Sequence, residues 1–361
     1  MHSIHKRTID RIKRWAKAHP VLSKVVLVIV ATLVVGLIVL LSLILSARPA
    51  TAPVSKVVEE PEPVIYYSPL TGVEVAKEST TKAVVTGIMI ENSPEARPQS
   101  GLKQAGVVYE AVAEGGITRF LALYQEDKPK LIGPVRSLRT GFVDWVAPFD
   151  ASVAHIGGSA RALQIIRNGT YRDIDQFFNP AYYWRATDRW APHNVYTSFD
   201  KLNALNKAKG YKTSKFKSWP RIDGEPGEKR NATKINVTVS GTLFNSAYVY
   251  DKKMNKYKRS QGGAAHVDRE KGRITPSVVI VLHTTQTASS EDGYRENYKT
   301  TGTGKALIFQ GGKVTKANWK KTSRNSQLQF LDSENEPMEL FRGQTWITAI
   351  GTNRGGKVTW D

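Results

Sequence analysis

The sequence predicts an α/β domain followed by a β-rich domain, both held outside a membrane by a single N-terminal transmembrane helix. Three observations carry this. Residues 25–47 (VVLVIVATLVVGLIVLLSLILSA) are an apolar run without a charge. Between about 67 and 205, short apolar runs alternate with stretches of helical period, the mark of an α/β domain. Between 235 and 361, strand-like runs follow one another with glycine turns between them.

The anchor comes first along the chain. Its 23 residues rise roughly 35 Å as a helix, enough for a hydrocarbon core of about 30 Å. Lys6, Arg7, Arg11, Lys13, Arg14, Lys17 and Lys24 precede it, opposed by Asp10. The positive-inside rule therefore puts the basic tail, 1–24, in the cytoplasm and the bulk of the chain outside. A cleaved signal peptide is the alternative, with Ala50-Thr51-Ala52 resembling a cleavage site. The apolar run exceeds the roughly 7–15 residues of such a peptide, and Pro53 would follow the cut. An uncleaved signal-anchor is the expectation.

Composition limits the partners. The chain of 361 residues has no cysteine, which excludes disulfides, thiolate catalysis, zinc–thiolate sites and lipid attachment through cysteine. Its net charge is +20, from 52 Lys and Arg against 32 Asp and Glu. The tail takes seven cations and one anion, leaving 45 against 31 and a net of +14 for the rest. Outside a membrane, that charge suits anionic lipid headgroups, anionic wall polymers, lipid-linked precursors or a wall-assembly protein, and not nucleic acid.

Residues 48–66 (RPATAPVSKVVEEPEPVIY) contain Pro49, Pro53, Pro61 and Pro63 and read as an extended spacer. A second linker, 206–234, is dense in Lys, Gly and Pro. The domains are thus expected at 67–205 (α/β) and 235–361 (β-rich).

In the first domain, 84–90 reads as a buried strand ended by Glu91-Asn92-Ser93-Pro94, with Arg97 beyond it. Residues 107–112 and 117–124 read as strands around a Gly115-Gly116 turn, and 131–135 as a short extended piece. A helix follows, with Ser137 as its expected N-cap and Leu138, Phe142, Trp145 and Val146 on one apolar face. Residues 151–156 read as a strand, Gly157-Gly158 as a turn, and Ser159 as the cap of the next helix. That strand–glycine–helix geometry suits an anion held by backbone N–H groups.

Charged residues concentrate here where an ordinary core would not have them. Glu110 lies inside an apolar run; Glu114, Thr118 and Arg119 flank the glycine turn; Arg136 and Arg139 bracket a helix start, and Asp144 lies off its apolar face. Ionised groups among apolar ones are costly unless paired or used. Two arrangements fit Glu91, Glu110, Glu114 and Asp144 beside Arg97, Arg119, Arg136 and Arg139. One is an internal salt-bridge network, the other an anion-binding or acid–base site. Arg119, Arg136 and Arg139 are expected to converge with Glu110 or Glu114 in one cleft. His155, Gly157, Gly158 and Ser159 are further candidates. So are Arg189, His193 and Asn194, in the aromatic-rich loop YYWRATDRWAPHNVYTS.

The stretches IENSPEARPQSGL (90–102), VVYEAVAEGGITRFLALY (107–124), IGPVRSLRTGFVDW (132–145), HIGGSARAL (155–163) and APHNVYTS (191–198) resemble the YerB-like proteins, which carry domain of unknown function 3048. The resemblance continues through HVD (266–268), GYRENYKTTGTGKALIFQGGKVTKANW (293–319) and GQTWI (343–347). It implies an N-terminal and a C-terminal subdomain on a bacterial cell surface, and no activity. Family members are largely lipoproteins held by a lipidated cysteine. Here the apolar helix would replace that anchor.

In the second domain, strands are expected at 235–239, 247–250, 277–282, 306–310, 313–316 and 345–350, with a hairpin turn at Gln310–Lys313. Trp319 and Trp346 are expected in packing rather than on sugars. No cofactor or metal site is expected. His155, His193, His266 and His283 lack metal-ligand spacing, Gly302–Lys305 is not a nucleotide loop, and the S-x-x-K pairs lack their companion motifs. Two functions remain. One is an anchored envelope protein that binds an anionic ligand or assembly partner. The other is an enzyme on phosphorylated or glycan wall intermediates, by fold-level analogy with LytR-CpsA-Psr transferases.

Overall fold

The computed structural model describes residues 2–47 and 64–361, with side chains from His5 onward. Most of the expected spacer, 48–63, lies outside the described residues. The described chain forms two units, 1–63 and 64–361. In the first, α1 (His2–Ala18) is followed by α2 (Pro20–Ser46). Helix α2 has 27 residues, is entirely unburied, and is long and apolar enough to cross a membrane. The tail read from sequence as simply basic is helical.

The second unit is built on one ten-stranded sheet. Its strands are β1 (Thr86–Glu91), β2 (Val107–Glu114), β3 (Ile117–Tyr124), β4 (Ser152–His155) and β5 (Arg172–Asp175) from the first half. The second half first supplies β6 (Lys234–Thr238), β7 (Ser246–Asp251), β8 (Lys256–Gln261) and β9 (Ala264–Ala265) to a separate sheet. It then returns to the large sheet with β10 (Val278–Thr284), β11 (Gly302–Gln310), β12 (Lys313–Lys321), β13 (Gln329–Leu331) and β14 (Thr345–Gly351). The order across the large sheet is β13-β12-β11-β10-β14-β2-β3-β1-β4-β5. Strands β14 and β2 pair in parallel through Ile347↔Tyr109 and Thr348↔Glu110, so both halves of the chain share it. The smaller sheet runs β9-β8-β7-β6-β15, with β15 at Lys357–Trp360. The first half is thus mixed α/β and the second β-rich.

Period-two alternation divides the large sheet into two buried faces. On one, Tyr109, Leu121 and Ile280 pack with α3 (Thr140–Val146) and α4 (Ala160–Asn168). On the other, Val108, Phe120 and Val279 pack with α5 (Phe199–Ala208) and the smaller sheet. Trp319 lies in the first core and Trp346 in the second, as packing residues. Strand β1 is buried along its whole length, which is why it reads as an unbroken apolar run. Gly311 and Gly312 both have positive φ in the hairpin between β11 and β12, the requirement of a two-residue turn matched to sheet twist.

Two local expectations turn out differently. Ser137 is not a helix cap: α3 begins at Thr140 with Arg139 in the cap position. The reason is that Leu138 N–H bonds the Gly157 carbonyl and Ser159 N–H bonds the Leu138 carbonyl. This holds 137–138 extended. Ser159 does cap α4, accepting from Ala162 N–H at 3.4 Å.

A buried ion pair locks the smaller sheet to the large one. Arg259 Nη2 of β8 meets Glu110 Oε2 of β2 at 2.7 Å, both side chains fully buried. The same oxygen accepts from Trp346 Nε1 at 2.9 Å, and Glu110 Oε1 accepts from Thr118 Oγ1 at 3.3 Å. Arg259 also donates to Tyr248, Gln261 and His266, and its guanidinium lies 4.4 Å from the Trp346 ring. Burial works to lower the Arg259 pKa, but the charge of Glu110 together with Tyr248 and the hydrogen bonds to both outweighs it, and the net shift is upward. His266 accepts from Arg259 on Nδ1, and its Nε2 faces Gln99 Oε1 at 3.1 Å. Burial, then the charge of Arg259, holds its pKa well below 6.5.

Removing one member of a buried pair leaves an uncompensated charge and costs about 3–5 kcal/mol. Arg259→Met is therefore expected to lower the unfolding free energy of the full chain, measured by denaturant titration in detergent, by that amount, and adding Glu110→Gln to restore part of it. His266 sets a pH dependence. Below 6.5 the unfolded histidine takes a proton that the folded one refuses, so stability falls with pH by up to about 1.4 kcal/mol per unit. His266→Gln is expected to flatten that slope between pH 7 and 5 in the same unfolding measurement.

Candidate functional site

Part of the expected set, Glu91, Arg136 and His193 with Glu114, Arg119 and Arg139 beside them, lies around the C-terminal ends of β1 and β4. These strands pair in parallel as far as Ile88↔Ala154. Beyond that point they separate and residues 134–138 enter between them. Glu91 N–H bonds Pro134 O, Arg136 N–H bonds Met89 O, and Ile156 N–H bonds Arg136 O, at 2.9, 2.8 and 3.2 Å. In open α/β sheets, ligands bind outside the carboxyl ends of strands where neighbours diverge. Arg136 is the side chain that this insertion delivers there, with a quarter of it exposed.

Glu91 lies beneath it, buried. Its Oε1 is 3.3 Å from Arg136 Nε, 3.0 Å from His193 Nδ1 and 3.1 Å from Ser93 Oγ, while Ser93 Oγ is 3.2 Å from His193 Nδ1. The Arg136 contact is an ion pair without hydrogen-bond geometry, because Arg136 Nε makes no hydrogen bond. The second carboxylate oxygen, Glu91 Oε2, is buried with no donor among the described residues. With Nδ1 turned to Glu91, the His193 ring presents Nε2 outward, and 23% of the side chain is exposed.

Next to this trio, Glu114 bridges two arginines. Its Oε1 is 2.5 Å from Arg119 Nη2 and its Oε2 is 2.7 Å from Arg139 Nε. Arg119 Nη1 also donates to Ser137 O and Arg139 Nη1 to Leu138 O, both at 2.9 Å. Burial works to raise the Glu114 pKa, but the charges and hydrogen bonds of Arg119 and Arg139 together outweigh it and hold the carboxyl below its ordinary value. Burial brings Arg119 down to about 10. Arg119 is the cross-strand neighbour of Glu91 in the β1–β3 ladder, so this cluster and the Glu91 trio share a face.

At the end of β4, His155 is buried, with Nδ1 2.8 Å from Gly157 O and Nε2 3.0 Å from Asp173 Oδ1. Burial pushes the Asp173 carboxyl up, but its contact with His155, followed by the Asp175 N–H and the Arg167 charge, brings it below its usual value. The backbone donors of the glycine turn meet the chain's own carboxylates. Gly157 N–H bonds Asp175 Oδ1 and Arg161 N–H bonds Glu291 Oε2, each at 3.0 Å, while Gly158 lies against Leu138 and Leu163.

Of the two carboxylates expected beside the arginines, Glu114 lies on their face of the sheet and Glu110 does not. Arg119 and Arg139 meet Glu114, Arg136 meets Glu91, and Glu110 lies on the opposite face of the sheet with Arg259. Glu110 and Glu114 are four residues apart, which in a regular strand gives one face. The β2–β3 ladder has a register shift between Val112 and Glu114, and the bulge turns Glu114 to the other side. Asn92 and Thr118 go with Glu110: Asn92 Nδ2 donates to Thr118 Oγ1 at 2.6 Å, and Asn92 Oδ1 accepts from Arg97 Nε at 3.1 Å. Asp144 accepts from Thr300 and Arg324, both at 2.5 Å. Arg189 donates to the carbonyls of Glu95 and Pro98, and Asn194 holds Arg185 and the Ala186 carbonyl. A hollow of about 220 Å³ beside α3 and α4, lined by Val146, Pro148, Ile166, Tyr171 and Arg172, contains none of these candidates.

Arg259, His266, Ser93, Asp173 and Arg324 were not among the candidates. A signal for Arg259 existed: in KYKRSQ, Tyr257, Arg259 and Gln261 alternate inward while Lys256, Lys258 and Ser260 are less buried. Ser93 stood two residues from Glu91, at the strand end.

Residues 70–212 match the family described as protein of unknown function (DUF3048), N-terminal domain, and residues 235–347 match its C-terminal domain. The chain is 32% identical over 288 residues to the protein named "Putative lipoprotein YerB" of Bacillus subtilis (strain 168), covering 78% of this chain and 86% of that protein. It is also similar to the crystal structure of the YerB protein from Bacillus subtilis, with a TM-score of 0.73 at 30% identity, over 81% of this chain and 99% of the other. Matched in both family segments and alike in fold, this chain belongs to the YerB-like DUF3048 family.

Proposed function

We propose that this is a membrane-anchored, extracytoplasmic cell-envelope protein whose strand-end crevice binds an anionic, hydroxyl-bearing envelope ligand. Helix α2 is the anchor, the cation-rich residues before it stay in the cytoplasm by the positive-inside rule, and residues 64–361 are outside. The relative named as a lipoprotein supports an envelope location. In this reading the two expected domains, 67–205 and 235–361, act as one unit through the sheet they share.

One observation carries the ligand class. Of the arginines expected at the site, Arg97, Arg119, Arg139 and Arg189 all donate hydrogen bonds within the protein. Arg136 alone donates none from its side chain among the described residues, and it is partly exposed at the crevice. A guanidinium with free terminal N–H groups suits bidentate contact with phosphate or carboxylate. Glu91 Oε2 beside it lacks a donor, so a ligand hydroxyl would complete it. Anionic wall polymers and lipid-linked precursors carry both groups.

A second reading, catalysis on phosphorylated or glycan intermediates, draws on His193. Its Nδ1 is oriented by buried Glu91 at 3.0 Å, the arrangement that prepares Nε2 to accept a proton.

Loss of a charge-assisted hydrogen-bond pair costs about 1.5–3 kcal/mol. Arg136→Ala is therefore expected to weaken binding of a phosphate-bearing wall polymer about tenfold or more at physiological salt, while the chain remains folded. Calorimetry on the full chain in detergent checks this; wild-type affinity in the variant removes the proposal. Incubation with polyprenyl-pyrophosphate-linked glycan separates the readings: turnover abolished by His193→Asn supports the enzyme, and saturable binding without turnover supports the binding protein.

A further inference from the structure

We infer that α1 is a surface-seeking helix that lies along an anionic lipid leaflet beside the point where α2 enters the membrane. The inference rests on the reading of α2 as the membrane span.

At about 100° per residue, the described side chains of α1 sort into two arcs. Ile9, Ile12, Trp15 and Ala16 fall within one arc of about 120°, together with the weakly basic His5 and the uncharged Thr8. Lys6, Arg7, Arg11, Lys13, Arg14 and Lys17 fall within the complementary arc of about 160°, joined by Asp10 as the one anion. Ile9, Ile12 and Trp15 are 47%, 60% and 42% exposed. An apolar stripe opposite a cationic face is the pattern of helices that settle in the headgroup region, with tryptophan favoured at that depth.

Two features say what covers the stripe. The first is continuity with the span. His19 leaves helical geometry (φ −130°, ψ 69°), and Pro20 starts α2. The backbone therefore breaks at the boundary between the charged helix and the apolar one, so α1 is a separate helix and not an extension of the span. The second is charge. Six cations against one carboxylate would be placed at headgroup level, where each basic residue is drawn to anionic lipid. The occupant is thus the anionic leaflet itself.

The chain has no cysteine, so single labelling sites can be introduced without side reactions. Ile9→Cys, Lys13→Cys and Val34→Cys variants of the full chain, each carrying an environment-sensitive fluorophore, would be placed in lipid nanodiscs. Discs of phosphatidylcholine with phosphatidylglycerol would be compared with discs of phosphatidylcholine alone, using the neutral quencher acrylamide. In the anionic discs the label at position 9 is expected to be quenched about threefold less than that at position 13. The difference should shrink in neutral discs and when Lys13→Glu and Arg14→Glu are added to Ile9→Cys. Equal quenching at 9 and 13 in anionic discs overturns the inference. So does shielding at 9 that is the same in neutral discs, which would indicate an uncharged contact such as a second copy. The label at position 34 reports the span separately. Accessible, it overturns the reading of α2; protected while position 9 is open, it overturns the surface helix alone.

Discussion

The second unit depends on a guanidinium and a carboxylate held together away from water. Taking two ions out of water costs several kcal/mol each, and attraction repays this only when geometry is good and the remaining donors and acceptors are satisfied. Arg259 and Glu110 meet that condition through Thr118, Trp346, Tyr248, Gln261 and His266. The pair sits on β8 and β2, and its partners come from β3, β7, β8 and β14 of the two sheets and from His266 just after β9. A slip of β8 by one residue would put Arg259 on the outer face and strand Glu110. The pair therefore fixes how the smaller sheet sits on the larger, more than it adds to net stability. Gln99 extends the network by donating to the Glu91 carbonyl and the Asn92 side chain, each at 3.0 Å. The loop that leaves β1 at the crevice is thus tied to the same buried cluster.

The bulge in β2 separates scaffold from site. Without it, Glu110 and Glu114 would compete for one set of cations on one face. With it, one strand delivers a carboxylate to each side of the sheet. Glu110 serves the join between layers, and Glu114 neutralises Arg119 and Arg139 at the start of α3. Two cations near a helix N-terminus oppose its dipole, and Glu114 between them offsets that. The result leaves Arg136 and His193 as the cationic or protonatable groups at the crevice that are not enclosed by the fold.

Much of this was legible in the sequence, and what was not has a common cause. Strands β1 to β3 and β10 to β12 announce themselves through apolar runs and paired glycines, because local sterics and burial decide them. The cap at Ser159 is local as well. Ser137 looked equally suited to a cap, but a tertiary contact to Gly157 holds its neighbour extended, and tertiary contacts override propensity. The charged candidates were singled out correctly as residues needing partners, yet the partners could not be assigned. Glu110 and Arg259 stand 149 residues apart, and His193 lies 100 from Ser93. Residue type says that an ion needs a counterion; only topology says which one. The bulge adds a parity change that no count of residues along β2 reveals. In α1, dense charge masked the helical spacing of Ile9, Ile12 and Ala16.

Long-range charge and local recognition act here at different distances. The excess of cations beyond the tail raises the concentration of any anionic polymer near the surface, but salt screens such attraction within about 8 Å under physiological conditions. It cannot select among polyanions. Selection needs groups whose directions are fixed, and the crevice has them in Arg136, held by the backbone inserted between β1 and β4, and in Glu91, pinned by Ser93 and His193. A ligand offering only negative charge would satisfy Arg136 and meet repulsion from Glu91. One that also brings a hydroxyl or amide donor would satisfy both. In the proposed reading, the carboxylate beneath the arginine would work as a filter: it would weaken binding of simple anions and favour those that carry a donor a few ångströms from their charge.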